Sequence, residues 1–534
     1  MSRRHLAFGS FAALLGASAC NLITGADDLK VYDTEPKKSS GRDGGDGDGD
    51  GDGDGDGGAP ASQSTGVGQG TTGSDTTTTT TGTPGEELVD VAGVSIVDVS
   101  FYQGVKARLV QNGVAASPAV DVVANRDSFV RVFADLSGYD GAPVVVRLLL
   151  QGQNPLELDT TLVAPNEAAK GSTANFDLPA AMLPPGATFR VEIKRRQVGP
   201  GPVNAQASYP ADGSFAATNA QTTGSLRITI VPIAYGADGS NRLPDTSAGM
   251  IAQYEDIFRS IYPTSQLILS VGGAFTWNGD IDPGGGGWDS LLNAIADHRS
   301  NQGAGFDEYY YGIFNPSGSI DSFCGGGCVA GLGFVGGAGD DYIRASIGLG
   351  YGGELSTETA AHEIGHNHGR QHAPCGTSGD NNFPHSGAKI GEWGYDLSSG
   401  QLKPPNSYVD LMSYCQPVWV SDYNYNAFFD RIRAVNGSSF FVPEKARFLT
   451  YERVAVAGET VTWLEPRAIE RPPVGQRRTV TVEDEAGSLH DVEAGFFPYD
   501  HLDGGLYVFP AQSAFRASRV TVAADSGLDL DVAR

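Results

Sequence analysis

The spacing of apolar and polar positions predicts an α+β multidomain chain with three folded regions. In residues 88–225, apolar and polar positions alternate in short runs, at 94–99, 129–133 and 144–148. A period of two places successive side chains on opposite faces of a β-strand, and turns rich in Gly, Pro, Asn and Asp separate the runs. Residues 88–225 are therefore predicted to form an antiparallel, immunoglobulin-like β-sandwich.

Residues 226–440 mix strand and helix patterns. Strand patterns occupy 226–232, 309–314 and 342–349, and helical periodicity occupies 247–262, 288–299 and 421–435. The Gly-rich residues 325–339 predict a mobile loop, and they lack the lysine and the spacing of a phosphate-binding loop. Residues 441–534 return to short β-runs, such as 479–482 and 520–523, which predict a small C-terminal β-domain.

The N-terminal residues carry the pattern of an export signal. Arg3 and Arg4 precede an apolar run, residues 6–15, that is too short to span a bilayer, so residues 1–20 are predicted to be a signal peptide. Small residues immediately before Cys20 resemble a bacterial lipoprotein cleavage site. That resemblance implies a lipid on Cys20, with the protein anchored to the outer membrane or cell surface. A plain secretory signal is the alternative.

Residues 21–87 are predicted to be a disordered tether. They are nearly pure Asp-Gly over 43–58 and rich in Thr and Gly over 71–83, so they have little apolar surface to offset backbone entropy. The Asp-Gly alternation lacks the closing glutamate of known calcium loops, which leaves Ca²⁺ binding unsupported. The net charge of −27 argues against nucleic acid as a partner.

Residues 362–372 carry the strongest chemical signal, His-Glu-Ile-Gly-His-Asn-His-Gly-Arg-Gln-His. On a helix, His362 and His366 lie one turn apart on one face and can bind one metal ion, with Glu363 beside it. Gly369 permits a left-handed turn that ends the helix and brings His372 back to the metal. Three imidazoles and one open position are typical of a catalytic zinc site.

Several neighbouring positions are predicted to have plainer roles. Ser356 is predicted to be the N-cap of the zinc helix. His368 points off the metal face and is predicted to lie in solvent or at a pocket rim. His490 and His501 lie among polar turn residues and are predicted to be surface histidines rather than ligands.

The extended motif resembles that of the metzincin clan of zinc endopeptidases, which also have a methionine-containing turn beneath the metal. Residues 410–415, Asp-Leu-Met-Ser-Tyr-Cys, match that turn and place Met412 under the zinc. Tyr414 resembles a tyrosine that in some metzincins helps to stabilise the oxyanion, and a core tyrosine is the other interpretation. Residues 362–375 and 408–425 are similar to bacterial secreted metzincins of the mucin-cleaving type, although Ala373 departs from the best-known families.

This resemblance implies a metalloendopeptidase that acts on extracellular proteins or glycoproteins, with one catalytic Zn²⁺ and Glu363 as general base. It also implies that the strand before the zinc helix forms the rim of the cleft. A noncatalytic zinc-containing surface adhesion lipoprotein and a zinc hydrolase acting on cell-wall peptides are the alternatives. A Ser-His-Asp hydrolase is excluded because the chain has no G-x-S-x-G motif.

The cysteines agree with export. Cys20 aside, four remain, which suggests two disulfides in an exported protein. Cys375 and Cys415 each follow a segment that must meet under the metal, so they are predicted to pair, with Cys324 and Cys328 closing a small loop. A second zinc bound by four thiolates is disfavoured because there is no matching second pair of closely spaced cysteines.

Overall fold

The computed structural model describes residues 86–438, 449–471, 473–523 and 527–534. The predicted signal peptide, Cys20 and all but the last two residues of the predicted tether lie outside these ranges. Within them, no helix is both long and apolar enough to cross a bilayer.

Two antiparallel sheets form the N-terminal part of the structure. Their strands are β1 Glu87–Asp90, β2 Ser95–Tyr102, β3 Lys106–Gln111, β4 Val114–Ala115, β5 Ser128–Asp135, β6 Val144–Leu150, β7 Leu156–Thr160, β8 Ala174–Leu178, β9 Thr188–Gln197, β10 Ser208–Tyr209 and β11 Ala216–Ala217. One sheet has the order β1-β9-β6-β7, with β10 and β11 also on β9, and the other has the order β4-β3-β2-β5-β8. Phe101 of β2 and Phe189 of β9 meet at 5.6 Å between ring centroids, so the sheets pack face to face.

A mixed α/β region follows. Its elements are β12 Ser225–Tyr235, α1 Ala248–Ile261, β13 Gln266–Val271, β14 Phe275–Trp277, α2 Trp288–Asn301, β15 Glu308–Phe314, α3 Ile320–Cys324, β16 Gly331–Gly333, β17 Ala345–Leu349, α4 Gly353–Asn367, β18 Gly394–Asp396, β19 Gln401–Lys403, β20 Val409–Asp410, β21 Val418–Trp419 and α5 Asp422–Ser438. The main sheet has the order β13-β12-β15-β17-β16, and β14 extends it beside β12. Along this order only the β16–β17 pair is antiparallel.

The strand before the zinc helix differs from its prediction. A 3₁₀ turn at Asp341–Ile343 precedes β17, and β17 lies inside the sheet between β15 and β16. The edge strand is β16, which lies in the Gly-rich segment predicted to be a mobile loop. Its glycines allow close packing, because a Cβ atom on Gly331 would lie 2.3 Å from the Glu363 carboxylate of α4.

Seven antiparallel strands form the C-terminal sheet. They are β22 Leu449–Ala457, β23 Thr460–Ile469, β24 Gln476–Asp484, β25 Leu489–Pro498, β26 Gly504–Pro510, β27 Ala517–Ala523 and β28 Asp529–Ala533, in the order β23-β22-β26-β25-β24-β27-β28. Phe497 and Tyr499 pack in one apolar core with Trp288 and Ile347 of the α/β region. The Arg453 guanidinium also lies 2.8 Å from an Asp297 carboxylate oxygen on α2, so the C-terminal sheet is fixed against the α/β sheet.

Candidate metal centre

Helix α4 carries the first half of the site. It begins at Gly353 with Gly352 as N-cap, one turn earlier than predicted. Ser356 is therefore an internal residue, and its Oγ accepts a hydrogen bond of 3.0 Å from the Gly352 amide. The helix ends as expected, because Gly369 has a φ of +80° and turns the chain back toward the metal face.

The three predicted ligands come together. Nε2 of His362 and Nε2 of His366 are 3.0 Å apart. Their Nδ1 atoms lie against carbonyl oxygens, at 2.8 Å from Leu411 and 2.7 Å from Arg370. A carbonyl can only accept, so the ring protons are on Nδ1 and both Nε2 atoms present lone pairs to the pocket. Nε2 of His372 is buried and has no hydrogen-bond partner among the described residues.

Burial keeps the imidazoles neutral. Loss of solvent and, to a smaller extent, the neighbouring His501 lower the pKa of His362 from 6.5 to about 3. Burial also moves the pKa values of His366 and His372 far below the ordinary range. A neutral imidazole keeps the lone pair that a metal ion needs.

The methionine turn lies under the helix. Met412 is fully buried, and a Cβ atom on Gly365 would lie 2.5 Å from its Sδ, so only glycine fits between the two ligands. The buried Asp410 carboxylate holds the turn by accepting hydrogen bonds from the Met412 amide at 2.7 Å and the Ser421 amide at 2.9 Å. The Met412 carbonyl accepts from the Ala373 amide at 2.8 Å, which ties the turn to the residue after His372.

Both predicted disulfides are confirmed. Cys375 pairs with Cys415, and the Tyr414 amide donates to the Cys375 carbonyl at 3.0 Å. Cys324 pairs with Cys328 at a Cα–Cα distance of 4.8 Å. The first bond links the third-ligand segment to the methionine turn, and the second lies at the mouth of the cleft beside the metal pocket.

Glu363 lies beside the ligands, and its side chain is 1 % exposed. Burial raises its pKa from 4.5 to about 8. Its Oε1 lies 3.1 Å from Nε2 of His501, while its Oε2 has no hydrogen-bond partner among the described residues.

The prediction that His501 is a surface residue is wrong. The turn between β25 and β26 inserts His501 and Asp500, whose side chain is fully buried, into the metal pocket. His501 lies 138 residues after Glu363 in the sequence. Oδ2 of Asp500 lies 3.1 Å from Nε2 of His366. No motif spacing links residues so distant in sequence, so these two residues could not be found from the chain alone. His490 is not part of this group and pairs with Asp484.

Two further side chains differ in environment. His368 does point away from the metal, but it is buried rather than at a rim, stacked on Tyr309 with 4.7 Å between ring centroids. The turn after the helix directs its ring toward the sheet, and its Nδ1 donates to the Ile364 carbonyl at 2.8 Å. Tyr414 faces the pocket, where its hydroxyl hydrogen-bonds Nδ1 of His501.

The residues present fit a metal ion. Candidate ligand atoms of His362, His366, His372, Asp500 and His501 all lie within 4.8 Å of one another. Lone pairs facing one another at about 3 Å, together with two buried carboxylates, repel unless a cation lies among them. Imidazole nitrogen and carboxylate oxygen are ordinary zinc ligands.

A cleft opens beside the metal pocket. It is lined by Val329, Leu355 and Val418, by the edge-strand residue Gly331, and by Glu358 of α4. Burial, followed by the charge of nearby Glu354, raises the pKa of Glu358 from 4.5 to about 7.

Part of the chain matches a known protein family. Residues 326–424 match the Peptidase M66 family. This is a family of zinc metallopeptidases, and the matched span contains β16, the motif helix and Met412. The match and the histidine group together support a metallopeptidase. The matched span ends at residue 424, before Asp500 and His501, so it does not cover the C-terminal part of the pocket. No curated protein matches the chain.

Proposed function

We propose that the protein is a zinc-dependent endopeptidase of the metzincin clan that cleaves extracellular proteins or glycoproteins. The observation that carries the proposal is the buried Glu363 beside three neutral imidazoles, next to a cleft and a sheet edge. The antiparallel edge strand β16, running against the ligand helix, supports the clan, because an extended substrate chain can pair with such an edge.

Zinc, when bound, supplies Lewis acidity toward the attacking water and the scissile carbonyl. Glu363 takes a proton from the attacking water and later gives it to the leaving amine. A cation in the pocket favours the carboxylate form that accepts the proton, and burial favours the protonated form that follows. His501 orients the Glu363 carboxylate, and the Tyr414 hydroxyl, which hydrogen-bonds Nδ1 of His501 at rest, turns from that ring to donate to the developing oxyanion.

The test of this proposal is Glu363→Gln in the zinc-loaded protein. The amide keeps the shape of the side chain but cannot take a proton, so cleavage of a peptide library should fall by about 10²–10⁴-fold. Zinc content should stay equal to that of the unchanged protein, and Glu354→Gln, on the exposed start of the same helix, should cleave normally. Normal turnover by a zinc-loaded Glu363→Gln protein would refute the mechanism. Cleavage of purified cell-wall peptides but of no protein would favour the cell-wall alternative.

We also propose that the protein is an exported lipoprotein, anchored through Cys20 at the outer membrane or cell surface. The residues before Cys20 support this location, and the two disulfides are consistent with an oxidising compartment. Cys20→Ser should move the protein from the membrane fraction to the soluble fraction. Retention of the variant in the membrane fraction would contradict the anchor.

A further inference from the structure

Asp500 is held in the metal pocket by the edge strand itself. Its Oδ1 accepts a hydrogen bond of 2.9 Å from the Gly333 amide, and another of 2.9 Å from the amide of His501. Oδ1 is therefore satisfied by backbone donors, while Oδ2 faces Nε2 of His366 at 3.1 Å. Because Nδ1 of His366 carries the ring proton, a lone pair on nitrogen faces a lone pair on oxygen, and this geometry calls for a cation between them.

The charges in the pocket agree with this. Asp500 and Glu363 are 0 % and 1 % exposed, and within the described ranges neither forms an ion pair with Lys or Arg. His501 can neutralise at most one of these two carboxylates, because its single Nε2 lies 3.1 Å from Oε1 of Glu363 and 3.2 Å from Oδ2 of Asp500, whereas one divalent cation neutralises both. Glu363 directs Oε1 to His501, which leaves Asp500 as the carboxylate that faces a ligand imidazole directly.

The segment that carries Asp500 occupies the edge of the cleft. Tyr499 forms an antiparallel bridge with Phe334, just after β16, and the Val335 amide donates to the Pro498 carbonyl at 3.2 Å. The Tyr499 hydroxyl is fixed by Asn293 of α2 at 2.9 Å. A C-terminal segment thus pairs with the sheet edge that an extended substrate needs.

We propose that Asp500 is a fourth protein ligand of the metal, and that its carboxylate closes the resting site until it leaves the metal. The inference rests on the proposed peptidase function. Three imidazoles and one carboxylate complete a tetrahedral set, and a zinc site with four protein ligands has no open position for water. The Gly333 amide that holds the Asp500 carboxylate belongs to β16, so a substrate chain that pairs along β16 competes with Asp500 for this amide, and substrate binding itself can open the site.

The first experiment measures coordination, which does not depend on peptidase activity. Full-length protein is loaded with Co²⁺, and its visible absorption is recorded with and without azide, an anion that takes open coordination positions. The unchanged protein should show no azide-dependent change, whereas Asp500→Ala should show one. An azide-induced change in the unchanged protein would overturn the closed site, and this measurement needs no variant to fold.

The second experiment compares Asp500→Asn with Asp503→Asn, an exposed aspartate in the same turn. By chelator competition, Asp500→Asn should bind Zn²⁺ at least about 10-fold more weakly, as expected when a coordinating group is lost. It should also cleave peptides faster than the unchanged protein, and Asp503→Asn should match the unchanged protein in both assays. Unaltered Zn²⁺ affinity of Asp500→Asn would refute the ligand, and slower cleavage would refute the closed resting state. If the proposed peptidase function itself is wrong, the unchanged protein and both variants should all fail to cleave peptides, while the Zn²⁺ affinities and the Co²⁺ spectra stay as expected.

Discussion

Glu358 shows how burial sets the behaviour of a single residue in the cleft. It lies one turn before His362 on α4, and burial and Glu354 raise its pKa from 4.5 to about 7. A group whose pKa is raised on folding contributes stability that is present below pH 4.5 and lost as the pH rises through 7. The charged form is therefore the destabilising one at alkaline pH.

Glu358→Gln should remove this pH dependence. At pH 8 the variant should be more stable than the unchanged protein by about 1–2 kcal/mol, after discounting for partial solvent screening. The difference should shrink as the pH falls below 7, where the unchanged side chain takes up its proton. Denaturant unfolding at several pH values measures it, with the exposed Glu459→Gln as control. A variant that is less stable at pH 8 would contradict the argument.

At the same scale, the sequence predicted that His362, His366 and His372 lie together, because their placement is local. His362 and His366 are positioned by helix geometry alone, and Gly369 supplies the one left-handed residue that the turn requires. His368 was misjudged because spacing gives the direction of a ring but not what covers it. Its burial depends on Tyr309, which comes from a strand distant in sequence.

At the scale of elements, the main helices and strands of the α/β region lie close to their predicted positions. Helix α1 begins after Ser247, close to the start of the predicted helical pattern at 247–262, and the Ser247 hydroxyl accepts a hydrogen bond of 3.4 Å from the Met250 amide. Strand β16 could not be predicted, because glycines carry no alternating pattern. Its existence depends on pairing with β17 and on close contact with Glu363, both of which are tertiary.

The Cys375–Cys415 disulfide should stabilise both the fold and the metal site. It closes a loop with a sequence separation of 40, which corresponds to about 3–4 kcal/mol in the chain-entropy model. Replacing both cysteines with serine should lower the unfolding free energy by about the same amount. It should also weaken Zn²⁺ binding, because the segment of His372 loses its covalent link to the methionine turn. Calorimetry and chelator competition measure the two effects.

The Cys324–Cys328 pair provides the control for this prediction. Its sequence separation is only 4, so the same model gives about 2 kcal/mol or less. The corresponding double serine variant should keep its Zn²⁺ affinity, since neither cysteine lies in a segment that carries a ligand. Equal losses of affinity in both double variants would show that the disulfides act on general stability rather than on His372.

At the scale of the whole molecule, the pocket is assembled from regions that the sequence presents as separate. The sequence predicted an N-terminal β-region, a mixed region and a C-terminal β-region, but it carried no signal for how they meet. Asp500 and His501 reach the pocket of the three histidines only because the C-terminal sheet shares an apolar core with the α/β sheet. Contacts of this kind depend on the packed structure, which explains why His501 was taken for a surface residue.

The N-terminal sheets are joined to the α/β region by a buried arginine, and this joint gives a final prediction. Arg126 is 7 % exposed, and its guanidinium donates to the carbonyls of Tyr262 at 2.6 Å and of Gln103 at 3.1 Å. The Tyr262 hydroxyl in turn donates to the Ala361 carbonyl of α4 at 2.6 Å. Arg126 is therefore linked through Tyr262 to the residue that precedes His362. Arg126→Ala removes a charged donor from both carbonyls, which keep only the Thr264 amide at 2.8 Å and the Tyr425 hydroxyl at 3.2 Å, and it should lower the unfolding free energy by about 2–3 kcal/mol.

Thermal unfolding, followed by tryptophan fluorescence and by circular dichroism, measures this effect. Both signals should shift together to lower temperature, because loss of the joint weakens the N-terminal sheets and the α/β region at once. Arg108→Ala is the matched control, since Arg108 is a partly exposed arginine of the same sheets that pairs with Asp98 at 2.9 Å. Arg108→Ala should lower the unfolding free energy by less than about 1 kcal/mol, because exposed ion pairs contribute little to stability. Equal shifts in the two variants, or a shift in one signal alone, would show that Arg126 does not couple the regions.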